Sequence, residues 1–456
     1  MPEIKSEEEV CYEALMQYAK NGLKVLERID EAKTLQVYKK LVNRKDGNQM
    51  SALHYAARGH FTPQIETFLN KLQAKVDIGN NLQQTPLMMA CKKEADNDLE
   101  RYYSSNPDLR CATDSREDYI RSYEAWKDFF DGHNEVVCET VNKLINNGSA
   151  WDAKDSSQKT AMHYAAKFEQ IPQLCQLILQ NKNKKPFNMT DMEGKTPFQI
   201  AISRGHVQAA IMLAPFSDIT KRDASNATSL ISAAASGHET VMLICSIMEK
   251  YYPENLKALL SAKDDDGQNA LMVALKSAKF YSAQFLKKID PDLRLQDKNL
   301  QGQNCLHLAV SSRNNSCVNL LMQDFNMLNT PDNKGNLPIH IATKVNAVSV
   351  IEILVKKSQP ADLGIPNRAG MNALMCAMEN NQTEAMEAIM KHCPNQLNDV
   401  DKQFRTALLI GVQNNSIECL RSFFKNSTNL NINRRDATGR GPIATAAANG
   451  HIEIVK

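Results

Sequence analysis

The sequence predicts an all-α solenoid of about 11 to 12 helix-turn-helix units joined by short β-hairpin loops. Three observations carry this. A small residue recurs at Ala56, Ala90, Ala165, Ala201, Ala233, Ala274, Ala309, Ala342, Ala377, Gly411 and Ala446, in steps of 32 to 41 residues with a single step of 75. The copies vary on one template, D-x-x-G-x-T-P-L-H-x-A, clearest in "DMEGKTPFQIAISRGHVQAAIML" from 191 and "DNKGNLPIHIATKVNAVSVIEILV" from 332. An apolar stripe such as Val318, Leu320 and Leu321 then marks a second helix that cannot bury its face without a stacked neighbour.

Each letter of the template has a mechanical reason. Asp191, Asp264, Asp332 and Asp436 open turns whose fourth residue needs positive φ, supplied by Gly194, Gly267, Gly335 and Gly439. Asn226 suits that position less well than Gly, and Gln158 and Phe404 less again, which predicts weaker turns there. Thr85 and Thr196 cap helices whose first turn accepts Pro86 and Pro197, because a missing N–H costs nothing there. Gly59, Gly205, Gly237 and Gly450, each followed by His, are expected to end the first helix.

The domain organisation follows. Residues 1–42 read as a helical cap or degenerate repeat: Ala19 takes the small-residue position, Asn21-Gly22 the break, and Leu23, Leu26 and Ile29 the stripe, with Ser6 and Glu9 as a capping box. Residues 43–91 are repeats, 92–132 an insertion, and 133–456 further repeats, incomplete at the C-terminus. There the stripe of Ile452, Ile454 and Val455 has no following layer, so the chain is expected to be part of a longer protein.

The insertion carries eleven Asp/Glu and seven Lys/Arg, and sets Tyr119, Tyr123, Trp126 and Phe130 at helical spacing. Two readings stand: exposed anchors for a protein partner, or packing onto the insertion's own repeat.

Composition narrows the function. The chain is 43% hydrophobic with 54 Lys+Arg against 52 Asp+Glu, so no global field favours nucleic acid or an anionic membrane. No apolar run is long enough to span a bilayer and no signal peptide opens the chain, which predicts a cytoplasmic location. The eleven cysteines lack metal spacing and read as reduced thiols. Cys91, followed by Lys92 and Lys93, is the candidate reactive thiol. His54, His163, His307 and His340 recur with the structural period, which assigns them a repeated hydrogen-bonding role rather than catalysis. "NKNKKP" at 181–186 reads as a solvated loop. With no nucleotide, hydrolase, metalloprotease or kinase signature, the reading is non-enzymatic, with no cofactor and no metal.

From about residue 6 the chain resembles ankyrin-repeat proteins, on the T-P-L-H-x-A cores quoted above. Several copies depart from that consensus: "TAMHYA", "TSLISA", "NALMVA" and "TALLIG" lack the Pro, and the last three lack the His. The resemblance implies partner binding on a concave face, with Lys195, Gln268, Asn336, Met371 and Arg440 as the carried-over positions beside the turns. More narrowly, "DATGRGPIATAAANGHIEIV" is similar to mid-array repeats of TRPA-type cation channels. That implies the cytoplasmic part of a channel, membrane-bound through a missing C-terminal region and homotetrameric in the whole protein. A free cytosolic ankyrin scaffold and the regulatory half of an ankyrin-linked enzyme stand as alternatives.

Overall fold

The first residue of each hairpin decides the turn. The computed structural model describes residues 7–21, 32–92, 116–131, 138–181, 186–289, 295, 297–322, 327–357, 364–427 and 430–456. Among these, Oδ1 of Asp46, Asn80, Asp155, Asp191, Asp223, Asp264, Asn299, Asp332, Asn367, Asp401 and Asp436 accepts the backbone N–H four residues on. The fourth residue of each turn then takes positive φ. Glycine fills it at 194, 267, 302, 335, 370 and 439, whereas Gln49, Gln83, Gln158, Asn226 and Phe404 adopt φ of 58° to 61°. The weaker turns expected at Gln158 and Phe404 therefore form like the others, because the Asx oxygen and the closing backbone bond hold the strained residue in place.

Neighbouring turns are linked through their backbones. The N–H of one tip donates to a carbonyl of the tip before it: Ser156 to Leu82, Met192 to Ser157 and Ala224 to Glu193, then Leu300 to Asp266, Asn333 to Gln301, Arg368 to Lys334, Lys402 to Ala369 and Ala437 to Gln403, at 2.8 to 3.2 Å. Among the described residues the hairpins form no sheet, and only Arg222 and Thr228 make an isolated bridge. A Cβ on Gly335 would lie 2.6 Å from the Arg368 nitrogen, whereas one on Gly439 would meet nothing within 4 Å, although both have φ near 80°. Gly335→Ala should therefore lose about 1–2 kcal/mol more than Gly439→Ala in urea unfolding, since both carry the left-handed strain but only one collides.

By its internal contacts the chain divides into two units, Met1–Leu259 and Leu260–Lys456. The first opens with Glu7–Asn21 and Ala32–Leu41; Ala19 is fully buried, while Ser6, Leu23, Leu26 and Ile29 lie outside the described residues. Its short inner helices are Ala52–Gly59, Pro86–Ala90, Ala161–Lys167, Pro197–Arg204 and Ser229–Ser236, each packed on the next, with outer helices such as Ile171–Asn181, Val207–Leu213 and His238–Tyr251 behind them. The second unit repeats this with inner helices Ala270–Lys276, Cys305–Ser311, Pro338–Lys344, Ala373–Glu379, Ala407–Gln413 and Pro442–Ala448.

The small residue of each repeat is buried between successive inner helices. A Cβ on Gly411 would lie 2.4 Å from the terminal methyl of Met378, a flexible group that would have to shift to admit alanine. Thr85 and Thr196 cap as expected, accepting from the N–H of Met88 and Gln199 at 3.4 and 3.2 Å. Of the four Gly-His helix ends, Gly205 and Gly450 take the left-handed conformation. At the first, His60 takes it instead, and Gly237 is extended at φ 175° and leads directly into the outer helix.

The step of 75 residues does not interrupt the stack. Ser156 bonds to Leu82 across the two turns that flank it, and the inner helices Pro86–Ala90 and Ala161–Lys167 are neighbours, so the repeats on either side of the insertion stack directly. Its described part, the helix Arg116–Asp131, makes its main contacts outside its own repeat. It lies against Val207–Leu213, Ala214–Phe216 and His238–Tyr251, the outer elements of two later repeats.

Candidate interaction surface

The surface rests on a row of side chains that tie one repeat to the next. In His54, His163 and His340, at the third position of an inner helix, Nδ1 accepts the backbone N–H of Ser51, Thr160 and Leu337 at 3.1 Å, whereas Nδ1 of His307, at the same position, lies 2.7 Å from the Asn304 side-chain oxygen. The other ring nitrogen donates to a carbonyl of the following hairpin: Gln84 at 2.9 Å, Lys195 at 3.2 Å, Asn336 at 2.9 Å and Met371 at 3.1 Å. A carbonyl can only accept, so Nε2 carries the proton, and in His54, His163 and His340 the neutral ring uses both nitrogens. Burial pushes His54, His163 and His340 down to about 4, and lowers His307 as well, against the raising effect of the carbonyl bonds.

Gln199 does the same work with an amide. Its Oε1 accepts from Thr196 N–H at 2.9 Å and its Nε2 donates to the Lys221 carbonyl at 2.8 Å. The sequence reading missed this residue, although its place in the H position of "TPFQIA" was the signal. Met88, Ile231, Met272, Met375, Leu409 and Ala444 hold that position in the remaining repeats and have no polar group to extend.

The five carried-over positions separate into kinds. Lys195, Asn336 and Met371 supply the carbonyls that receive the histidine bonds. The Asn336 amide also donates to Asp332 at 3.1 Å, and Met371 is buried. Gln268 is buried and donates to Asp266 at 3.1 Å. The Lys195 ammonium pairs with Glu193 at 2.7 Å. Of the five, only Arg440 is exposed. The surface that faces solvent is therefore made by the turn tips themselves, including Leu82, Met192, Leu300 and Phe404.

The insertion aromatics are core residues. Tyr119, Tyr123 and Trp126 are 1%, 5% and 0% exposed, which corrects the expectation that they present anchors to a partner. Tyr123 stacks obliquely on Tyr251 with ring centroids 5.1 Å apart, and Glu124 accepts from Lys250 at 2.7 Å and from the Tyr251 hydroxyl at 2.6 Å. Arg116 pairs with Glu249. The Phe130 side chain lies outside the described residues.

Cys91 is also corrected. It is fully buried beside Cys138, and burial raises its thiol well above the ordinary range. Lys92 turns away, donating to Gln84 at 2.8 Å over the Tyr164 ring; Lys93 lies outside the described residues. In the folded protein N-ethylmaleimide should leave Cys91 unmodified while half-exposed Cys11 reacts, and unfolding in urea should expose both, as read by peptide mass spectrometry. Among the described residues no group of His, Cys, Asp and Glu is placed to hold a metal, and no helix is long and apolar enough to cross a membrane.

A family model described as ankyrin repeats (3 copies) matches residues 132–223, 162–251, 278–367 and 358–436, well over half the chain. The chain belongs to the ankyrin-repeat family. Rabankyrin-5 of Mus musculus and of Homo sapiens is 30% identical over 155 residues, 34% of this chain and 13% of the relative. The E3 ubiquitin-protein ligase KEG of Arabidopsis thaliana is 21% identical over 345 residues, 72% of this chain and 20% of its own length. Human transient receptor potential cation channel subfamily A member 1 is 24% identical over 193 residues, 40% of this ankyrin chain and 17% of the channel subunit. Each match spans a fifth or less of these relatives.

Proposed function

We propose that this ankyrin chain is a non-catalytic protein-interaction array in the cytoplasm that presents its hairpin edge to protein partners. The observation that carries the reading is the division of labour within each repeat. The Asx oxygen of each described turn, joined by His or Gln in five repeats, is used up in holding the turns in line, while the tip side chains beyond face solvent. Affinity capture with the full chain as bait tests it. The reading predicts a stoichiometric protein partner that survives washing, and a bait that retains nothing above the empty support contradicts it.

A second reading, the N-terminal cytoplasmic array of a TRPA-like cation channel, is favoured by the similarity to the human channel subunit over 193 residues. In that case the whole protein is a homotetramer, membrane-bound through a region outside this chain, and the array serves ion transport by transmitting a stimulus. An immunoblot of the native product distinguishes the readings. A band far above the 51.0 kDa of this chain in the membrane fraction supports the channel, and a soluble band supports a scaffold or an enzyme-linked array.

A further inference from the structure

The cations of the hairpins differ along the chain in what they are committed to. In the earlier repeats they are engaged internally. Lys45, Lys154 and Lys298 donate to the carbonyls of Gly79, Thr190 and Pro331, and Arg222 to Asn226. Lys159, Lys195 and Lys263 pair with Asp191, Glu193 and Asp297. From Asp332 onward Arg405 still pairs with Asp401 at 2.7 Å and donates to Gln413 at 2.6 Å, but the other hairpin cations differ. Lys334, Arg368, Lys402, Arg434, Arg435 and Arg440 are all exposed, and among the described residues none of their charged groups is held in a hydrogen bond or ion pair.

Of the carboxylates in the same turns, the half-buried Asp436 lies close enough to Arg440 to feel its charge, and the others are turned inward. Asp332 and Asp401 are buried, and each accepts the N–H groups of its own turn, as Asp436 also does. Backbone hydrogen bonds from Arg368 to Lys334, Lys402 to Ala369 and Ala437 to Gln403, at 3.0, 3.2 and 2.8 Å, hold the four tips in sequence. With a formal net charge of only +2 on the whole chain, this is a local field rather than a consequence of overall composition.

We propose that the hairpin edge formed by the turns at 332–335, 367–370, 401–404 and 436–439 binds an acidic, extended protein segment, with Lys334, Arg368, Lys402, Arg434, Arg435 and Arg440 pairing its carboxylates. The proposal rests on the interaction-array reading and adds the chemistry of the partner. Packed helices stand about 8–10 Å apart, so successive tips match carboxylates about three residues apart on an extended chain. Phe404, 54% exposed on the third tip, offers one apolar contact within the row. A single file of cations suits one polypeptide strand, whereas a nucleic-acid duplex presents two lines of phosphates.

The test is fluorescence anisotropy of the full chain with a labelled peptide of about twelve residues carrying Glu at every third position among Ser and Gly. The wild-type chain should bind it with an affinity that falls as salt rises. The triple variant Lys334→Glu, Arg368→Glu, Lys402→Glu should bind at least about tenfold more weakly while keeping its urea midpoint, because all three side chains are exposed. Equal binding by the charge-reversed chain, equal binding of an all-Ser peptide, or no binding to wild type overturns the proposal. Tighter binding of single-stranded DNA of the same charge also overturns it, assigning the edge to nucleic acid. If the charge-reversed bait still captures a stoichiometric partner, the array reading stands and the acidic segment falls.

Discussion

Lowering the pH from 7.5 to 5 should destabilise both units of this ankyrin chain, and replacing the linking histidines by glutamine should remove much of that loss. His54, His163 and His340 are held near 4 in the folded state against about 6.5 in the unfolded chain, so the unfolded state takes up the proton first. Stability from these groups is level above about pH 6.5 and declines as pH falls towards 4, by on the order of 2 kcal/mol per histidine at pH 5. The geometry gives the reason. Protonation places a hydrogen on Nδ1, which already faces a backbone N–H donor. Gln199 shows that an amide makes both bonds without titrating, so the double variant His163→Gln, His340→Gln should keep its neutral-pH urea midpoint and lose much of its drop between pH 6.5 and 5. An unchanged pH dependence in that variant would remove the histidines from the account.

Trp126→Ala should release the insertion helix from its seat. The indole is fully buried with Tyr119 and Tyr123, in a helix that lies on Val207–Leu213 and His238–Tyr251, and truncating a buried Trp costs about 3–5 kcal/mol. Glu124→Gln, which weakens the exposed pairing with Lys250, should lose less than about 1 kcal/mol. Because each solenoid layer depends on its neighbours, the effect of Trp126→Ala should be local. Hydrogen exchange should speed up in peptides covering 116–131, 207–213 and 238–251, and stay unchanged from 270 onward. Uniform acceleration across the chain would show that the helix stabilises the array globally.

The repeats were legible in the sequence because every letter of the template acts locally. An Asx oxygen, a positive-φ residue, a cap and a close-packed small residue each operate within about four positions of where they are written. The turns at Gln158 and Phe404 looked poor only because the residue was judged without the Asx oxygen that holds it. The seat of the insertion was hidden because it depends on residues some 90 to 130 positions away in the chain, on outer helices whose stripes do not distinguish a stacked face from one that receives another helix. Burial on an unforeseen surface made Tyr119, Tyr123 and Trp126 look like anchors, and made Cys91 look reactive when its neighbouring lysine points elsewhere.

The functional positions were half visible for a related reason. Lys195, Asn336 and Met371 were singled out beside the turns, and the structure uses their carbonyls, a role that no side-chain pattern records. The exposed cations that follow Asp332 are plain in the sequence as residue types. What separates them from Lys159 or Lys263 is the lack of an internal partner, and only the packing of neighbouring tips reveals that.

Photo-crosslinking tests the central claim most directly. A benzophenone amino acid is placed at Arg368 on the tip edge, at Leu300 on an earlier tip, or at Glu387 on the outer helix Thr383–His392, each in the full chain exposed to the captured partner. The account predicts that the partner is trapped from the tip positions and not from Glu387. Trapping from Glu387 alone would place the interaction surface on the outer helices and contradict it.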